Sequence, residues 1–178
     1  MLWAESTDGQ LWERPLEIRE GRKGDLTGIV PFVLDAISET YYRDGLNEQE
    51  CQSHEDLAKS APASLAQAVR MDNQKVLVAH VAEELAGFLV FIDLDTDVPE
   101  LDWFIVARKF HGTGVAQALM DVALAMVPRH KKIQLGVIHY NTRAQAFYKK
   151  NSFKDTGQIT GSYLIPRILM IRDTTTAA

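Results

Sequence analysis

Apolar and polar positions along the chain follow two periods, and the switches between them mark the elements. In PLEIRE, Leu16 and Ile18 alternate with polar neighbours, which predicts a short first strand. Gly24 and Asp25 then open a helical stretch. Asp25 is the N-cap candidate, and Leu26, Ile29, Val30, Val33, Leu34 and Ile37 form the apolar stripe. Pro31 predicts a kink in that helix and Gly45 a break after it. Helical sequence resumes near Asn47 and runs to Arg70, with a turn expected at Ser60, Ala61 and Pro62. From Gln74 the texture is β. Residues 75–81 and 85–92, joined by a turn at Glu83 and Glu84, read as a hairpin. An acidic loop, DLDTDVP, leads to a strand over 101–106 and a glycine turn over 112–114. The spacing of Val115, Leu119, Val122 and Met126 predicts a helix that Pro128 ends. A strand over 132–139, a short helix from Asn141 to about Asn151, and two strands near 158–164 and 168–172 complete the chain. There is no internal repeat. The order predicts an α+β fold, whose strand–loop–helix units place parallel neighbours in a mostly antiparallel sheet.

Composition narrows the function classes. The chain has 178 residues, which suits one domain, and a domain of this size buries about 70% of its unfolded surface without disulfides or metals. With 46% hydrophobic and 24% charged residues, extensive disorder is excluded. The longest apolar run, 85–92, is interrupted by Gly87 and falls far short of the ~18 residues of a membrane span. The first residues, MLWAESTDGQ, carry neither the basic nor the apolar region of a signal peptide, so the expected location is the cytoplasm. A single cysteine, Cys51, excludes an internal disulfide and a cysteine metal cage, and no metal is expected. The net charge of −5 disfavours a nucleic-acid surface and is compatible with a cationic small molecule. Residues 1–14, with Trp3, Leu11 and Trp12, read as an extension that packs on the domain or on a second copy of the chain, which leaves a homodimer open. Residues 15–174 form the domain and 175–178 a tail.

The chemistry is carried by two segments. In LDWFIVARKFHGTGVAQALM a strand runs into a turn with two glycines, and a helix follows at once. Glycines let the backbone approach an anion, and the free N–H groups of a helix start carry about half a positive charge. The segment is neither a Walker A loop nor a dinucleotide fingerprint, which needs a glycine where Gln117 stands. In IQLGVIHYNTRAQAFYKKNSF a strand leads to Asn141 and a helix bearing Phe147 and Tyr148. Together the two segments resemble the signature motifs of the GCN5-related N-acetyltransferase (GNAT) superfamily. His111-Gly112-Thr113-Gly114-Val115-Ala116 stands at the family's Q/R-x-x-G-x-G/A motif. Asn141, Ala144, Phe147 and Tyr148 stand in register with N-x-x-A-x-x-F-Y, and Phe153 follows. The strand, two helices and hairpin upstream fit as well, so the likeness spans roughly 15–172. Two positions depart from the pattern: His111 replaces Gln or Arg, and Ser152 replaces the glycine before Phe153.

The resemblance implies a central sheet of about six to seven strands flanked by about four helices. It also implies acetyl-CoA as donor and an amine as acceptor. Backbone groups of Phe104, Ile105 and Val106 would meet the pantetheine arm, and the amides of Gly112, Thr113, Gly114, Val115 and Ala116 the pyrophosphate, with His111 beside them. Asn141 would bond the pantetheine, with an ordinary N-cap as the alternative reading. Tyr148 would protonate the departing thiolate, and the Val106 N–H would meet the oxyanion. Glu100 and Asp102 are candidate bases, with His80 and His139 as alternatives. Arg143, Lys149 and Lys150 are candidates for the 3′-phosphate of CoA. Cys51 falls far from both motifs, which argues against an acetyl-cysteine intermediate. Glu39, Tyr41, Tyr42, Asp44, Glu100 and Asp102 suggest a small cationic acceptor such as a polyamine or amino sugar. The alternatives are a protein N-terminus or lysine, and an acyl-CoA-binding domain without turnover.

Overall fold

The structure is a computed structural model that describes residues 15–41, 45–127 and 132–173. The extension over 1–14 and the tail beyond Asp173 lie outside the described residues. Seven strands, β1 (Leu16–Glu20), β2 (Lys75–Val81), β3 (Glu84–Ile92), β4 (Glu100–Val106), β5 (Ile133–Ile138), β6 (Phe153–Thr160) and β7 (Arg167–Arg172), form one sheet in the order β1-β2-β3-β4-β5-β7-β6. Among the described residues only β4 and β5 run parallel. The helices are α1 (Ile29–Tyr41), α2 (Glu48–Ala68), α3 (Val115–Met126) and α4 (Thr142–Lys150). The alternation of β2 and β3 divides the core. Val76, Val78, Phe88, Val90 and Trp103 pack under α1 and α2; Leu77, Leu89, Phe91 and Leu101 pack with Leu119, Met120 and Tyr148 of α3 and α4. The mixed, mostly antiparallel sheet with four helices is the fold expected from the sequence. Among the described residues no helix is long and apolar enough to cross a membrane.

Four local expectations are corrected. Asp25 does not cap a long helix. Lys23–Leu26 is a 3-10 turn, Gly28 takes φ +74°, and α1 starts at Ile29. Pro31 therefore falls in the first turn of α1, where its missing N–H has no intrahelical acceptor to lose. The turn at Ser60, Ala61 and Pro62 does not form, and α2 runs straight through Pro62. Burial of Ala58, Ala61, Leu65 and Ala68 against the sheet outweighs the lost hydrogen bond. The sixth strand lies over Phe153–Thr160 rather than 158–164, because it is an exposed edge strand without alternation.

Two bulges shape the open end of the sheet. Along β3, Val90 pairs with Trp103 but Phe91 pairs with Leu101, so Asp102 is the extra residue of a bulge in β4. Bulges re-aim a side chain, and this one sits beside the only parallel pairing. β6 carries two extra residues between Asp155 and Ile159, held by Gly157 N–H donating to Asp155 Oδ1.

Candidate functional site

β4 and β5 start together and separate. Gln134 N–H donates to the carbonyl of Pro99 at 3.0 Å, and Glu100 opposite Gln134 is the single registered pair. Beyond it a cavity of about 680 Å³ opens between the strands and reaches the starts of α3 and α4. Ala107 N–H donates to Ala86 on the β3 side, so strand alternation turns the backbone groups of Phe104 and Val106 towards β5 and the gap.

The glycine turn closes one end. Gly112 and Gly114 take φ +77° and +88°, and a Cβ at either would meet nothing within 4 Å. Glycine is required there by backbone conformation, not by crowding. Gly114 is the N-cap of α3 and supplies no side-chain acceptor, unlike Asn47, whose Oδ1 accepts from Glu50 N–H at the start of α2. The first amides of α3 thus keep their donors directed at the cavity, a concave anion site. Gly112, Gly114 and Ala116 line the cavity. Val115 is buried in the core, and the Thr113 hydroxyl donates to the carbonyl of Phe110 at 2.6 Å.

His111 lines the wall in a relay. Arg143 Nη1 lies 2.9 Å from its Nδ1, and its Nε2 lies 2.9 Å from the carbonyl of Val106. Arginine only donates, so Nδ1 accepts and Nε2 carries the proton that it donates to Val106. The ring therefore ties the end of β4 to the glycine turn and leaves the Val106 N–H on the gap side. Arg143 and Lys150 line the cavity, and Lys149 is exposed away from it. Asn141 caps α4, its Oδ1 accepting from Ala144 N–H at 3.0 Å, and its Nδ2 is not taken by any described residue.

Tyr148 is 9% exposed and lines the gap, with ring centroids of Phe104, Phe147 and Phe153 at 6.3, 5.7 and 5.8 Å. Asp102 lines it as well. Burial holds its carboxyl above the usual carboxylate range; Glu100 pushes the same way, and the positive charge of Arg167 opposes both. Glu100 itself lies at the closed end, accepting from Gln134 Nε2 at 3.1 Å, and does not line the cavity. Neither do the other two candidate bases. His80 Nε2 sits 3.9 Å from Asp25, and exposed His139 lies edge-on to Tyr140. Cys51 is half-buried on α2, outside the cavity. The side chains of Glu39, Tyr41, Tyr42 and Asp44 lie outside the described residues.

Sequence reasoning missed the far wall. Ser60 and Ser64 of α2, Trp103, Gly136, Tyr163 and Arg167 all line the same cavity. None is a position of the two family motifs; Ser60 and Ser64 come from α2 and Tyr163 from the β6–β7 loop, while Trp103, Gly136 and Arg167 lie on β4, β5 and β7.

A family model described as the acetyltransferase (GNAT) family matches residues 34–153. The chain belongs to the GNAT family. It is 32% identical over 105 residues to an uncharacterized N-acetyltransferase of Mycobacterium tuberculosis, covering 58% of this chain and 67% of that protein. The PaiA N-acetyltransferase of Thermoplasma acidophilum, solved in complex with coenzyme A, superposes with a TM-score of 0.73 at 17% identity, over 89% of this chain and 99% of that one. A spermidine N-acetyltransferase variant from Vibrio cholerae gives a TM-score of 0.62 at 20% identity, over 90% and 94%. The GNAT assignment makes the chain an N-acetyltransferase and acetyl-CoA the donor that the family uses. The cavity fits such a donor: it offers uncapped helix amides for a pyrophosphate and strand edges for a pantetheine arm.

Proposed function

We propose that this N-acetyltransferase moves the acetyl group of acetyl-CoA to the primary amine of a small molecule, cationic at its reacting end. The parting of β4 and β5 carries the reading, because it makes one cavity running from the glycine turn to Asp102. The backbone of the Gly112–Gly114 turn and the first amides of α3 at Val115 and Ala116 hold the pyrophosphate, the Thr113 N–H being bonded to the carbonyl of Phe110 instead, with Arg143 and Lys150 beside it for phosphate charge. The gap-facing backbone of Phe104 and Val106 and the Nδ2 of Asn141 hold the pantetheine arm, as an added strand would be held. Acetyl-CoA supplies an activated acyl thioester.

This chain's residues manage the protons. Asp102 receives a proton from the attacking ammonium, and its raised affinity for protons suits a base working near neutrality. The Val106 N–H meets the charge that grows on the thioester oxygen. Tyr148 gives a proton to the sulfur as the C–S bond breaks and the C–N bond forms. Glu100 works through Asp102, by repulsion. The test is free-thiol release from acetyl-CoA across a panel of amines. Release with small amines is expected. Release only with peptide N-termini or lysines would move the acceptor to proteins, and acetyl-CoA binding without release would leave an acyl-CoA-binding domain.

A further inference from the structure

Arg167 opens β7 opposite Ile138 of β5 and Thr160 of β6. Its guanidinium carbon lies 3.7 Å from the centre of the Tyr163 ring, a stacking that fixes the plane of the fork. The residue is half-buried, and no carboxylate of the described residues comes within ion-pair distance of it. Gly136 lies beside it: a Cβ there would stand 2.8 Å from Thr160 Cγ2, a clash, and at an ordinary contact distance of 3.5 Å from the Arg167 stem. The cation therefore faces the same cavity as Asp102 without neutralising it. Behind Arg167 lies a side chamber of about 170 Å³, whose walls include Ser53, His54, Leu57, Ile138 and Tyr163. His54 is 3% exposed and bonded through Nε2 to the Tyr140 hydroxyl at 3.1 Å. Buried His54, Ser53 and a stacked guanidinium, set among apolar walls, form a receptor for one compact anion.

We propose that the acceptor is an amino carboxylate, its amine at Asp102 and its carboxylate on the Arg167 fork at the mouth of the side chamber. This rests on the N-acetyltransferase reading above. A planar fork matches a carboxylate with two parallel hydrogen bonds, and one permanent cation balances one negative charge. The polyamine class expected from the sequence would instead bring a second ammonium against Arg167, a repulsion with no counter-charge in the chamber.

The test compares initial rates of thiol release for matched pairs: lysine with cadaverine, phenylalanine with phenethylamine, and O-phosphoethanolamine with ethanolamine. For wild-type enzyme each amino acid should exceed its decarboxylated partner in kcat/KM by about tenfold or more. In Arg167→Gln that ratio should collapse towards one through the acceptor KM, while Arg167→Lys recovers part of it. The wild-type comparison stands even if a variant fails to fold. Preference for cadaverine or polyamines overturns the proposal and leaves the transferase reading intact. Preference for O-phosphoethanolamine alone overturns the carboxylate and assigns the subsite to phosphate. A ratio unchanged in Arg167→Gln also overturns the proposal. Acetyl-CoA binding without thiol release from any amine overturns the transferase reading itself, and this inference with it.

Discussion

At the scale of the residue, the proposed mechanism divides the proton work between Asp102 and Tyr148. Both pushes on Asp102 favour its neutral form. Folding thus stabilises the protonated acid, a contribution present below the unfolded pKa of ~3.9 and lost as pH rises through the higher folded value. Activity follows the opposite sign, since only the carboxylate takes a proton. The kcat profile should show an acidic limb above the ordinary carboxylate range, and Asp102→Asn should remove that limb and lower kcat by about 10²–10⁴-fold. An unshifted limb in the variant would assign the base elsewhere. Tyr148→Phe removes a hydroxyl and keeps the ring against Phe104, Phe147 and Phe153. It should reduce kcat and leave the acetyl-CoA KM nearly unchanged, because the leaving thiolate exists only late in the reaction. A loss below about threefold would mean that water or another group protonates the sulfur. Ser152 takes φ +67°, the left-handed conformation that the family's glycine adopts freely. Ser152→Gly should raise stability by about 0.5–1 kcal/mol in thermal melts and leave kcat alone.

At the scale of the element, the helix starts are handled differently. α2 caps its start through Asn47 and Glu50, whereas the start of α3 has no side-chain cap and is where the proposal seats the pyrophosphate. Gly114→Glu puts a charged side chain beside those amides and a non-glycine residue at φ +88°. Calorimetry should show acetyl-CoA affinity lost; unchanged affinity would move the pyrophosphate away from α3. On the opposite flank, Asp25 ties β1 to the 3-10 turn. It accepts from Arg19 at 2.7 and 2.9 Å and from Arg22 N–H at 2.6 Å. The Arg19 hydrogen bonds are the largest cause holding its carboxyl below the usual range, ahead of the Arg22 bond. A lowered folded pKa contributes stability above the unfolded pKa of ~3.9, lost as pH falls through the folded value. Asp25→Asn should cost about 1–2 kcal/mol at pH 7, and the gap from wild type in urea melts should narrow below about pH 4. A constant gap would make the interaction one of shape, not charge.

At the scale of the whole molecule, the proposed donor site draws on both halves of the sheet, so donor binding there should stabilise the domain as a unit. At acetyl-CoA a hundredfold above its Kd the gain is about 2.7 kcal/mol, a rise in Tm of roughly 5–10 °C for a domain of this size. A smaller rise at saturation would show that the unfolded chain binds too, or that the two halves melt separately. The node at Asn151 joins those halves: its side chain exchanges hydrogen bonds with Gln117 of α3, and its carbonyl accepts from Arg172 Nε of β7.

What the sequence by itself determined is local. The short apolar runs of β2 to β4, the glycines at 112 and 114, and Asn141 before a helix each report a short-range rule of backbone conformation. That is why the donor motifs were legible in one chain. Rules of the same range failed where burial overrode them: Pro62 sits inside α2 because its neighbours Ala58, Ala61 and Leu65 are buried. The proposed acceptor end of the cavity was decided by the tertiary structure alone. The bulge at Asp102 depends on its register with β3, the gap depends on where β4 leaves β5, and Arg167 lines the cavity because β7 pairs with β5 and sets it opposite Ile138. Register and close approach are properties of pairs of segments, and the pattern within one segment carries no record of its partner.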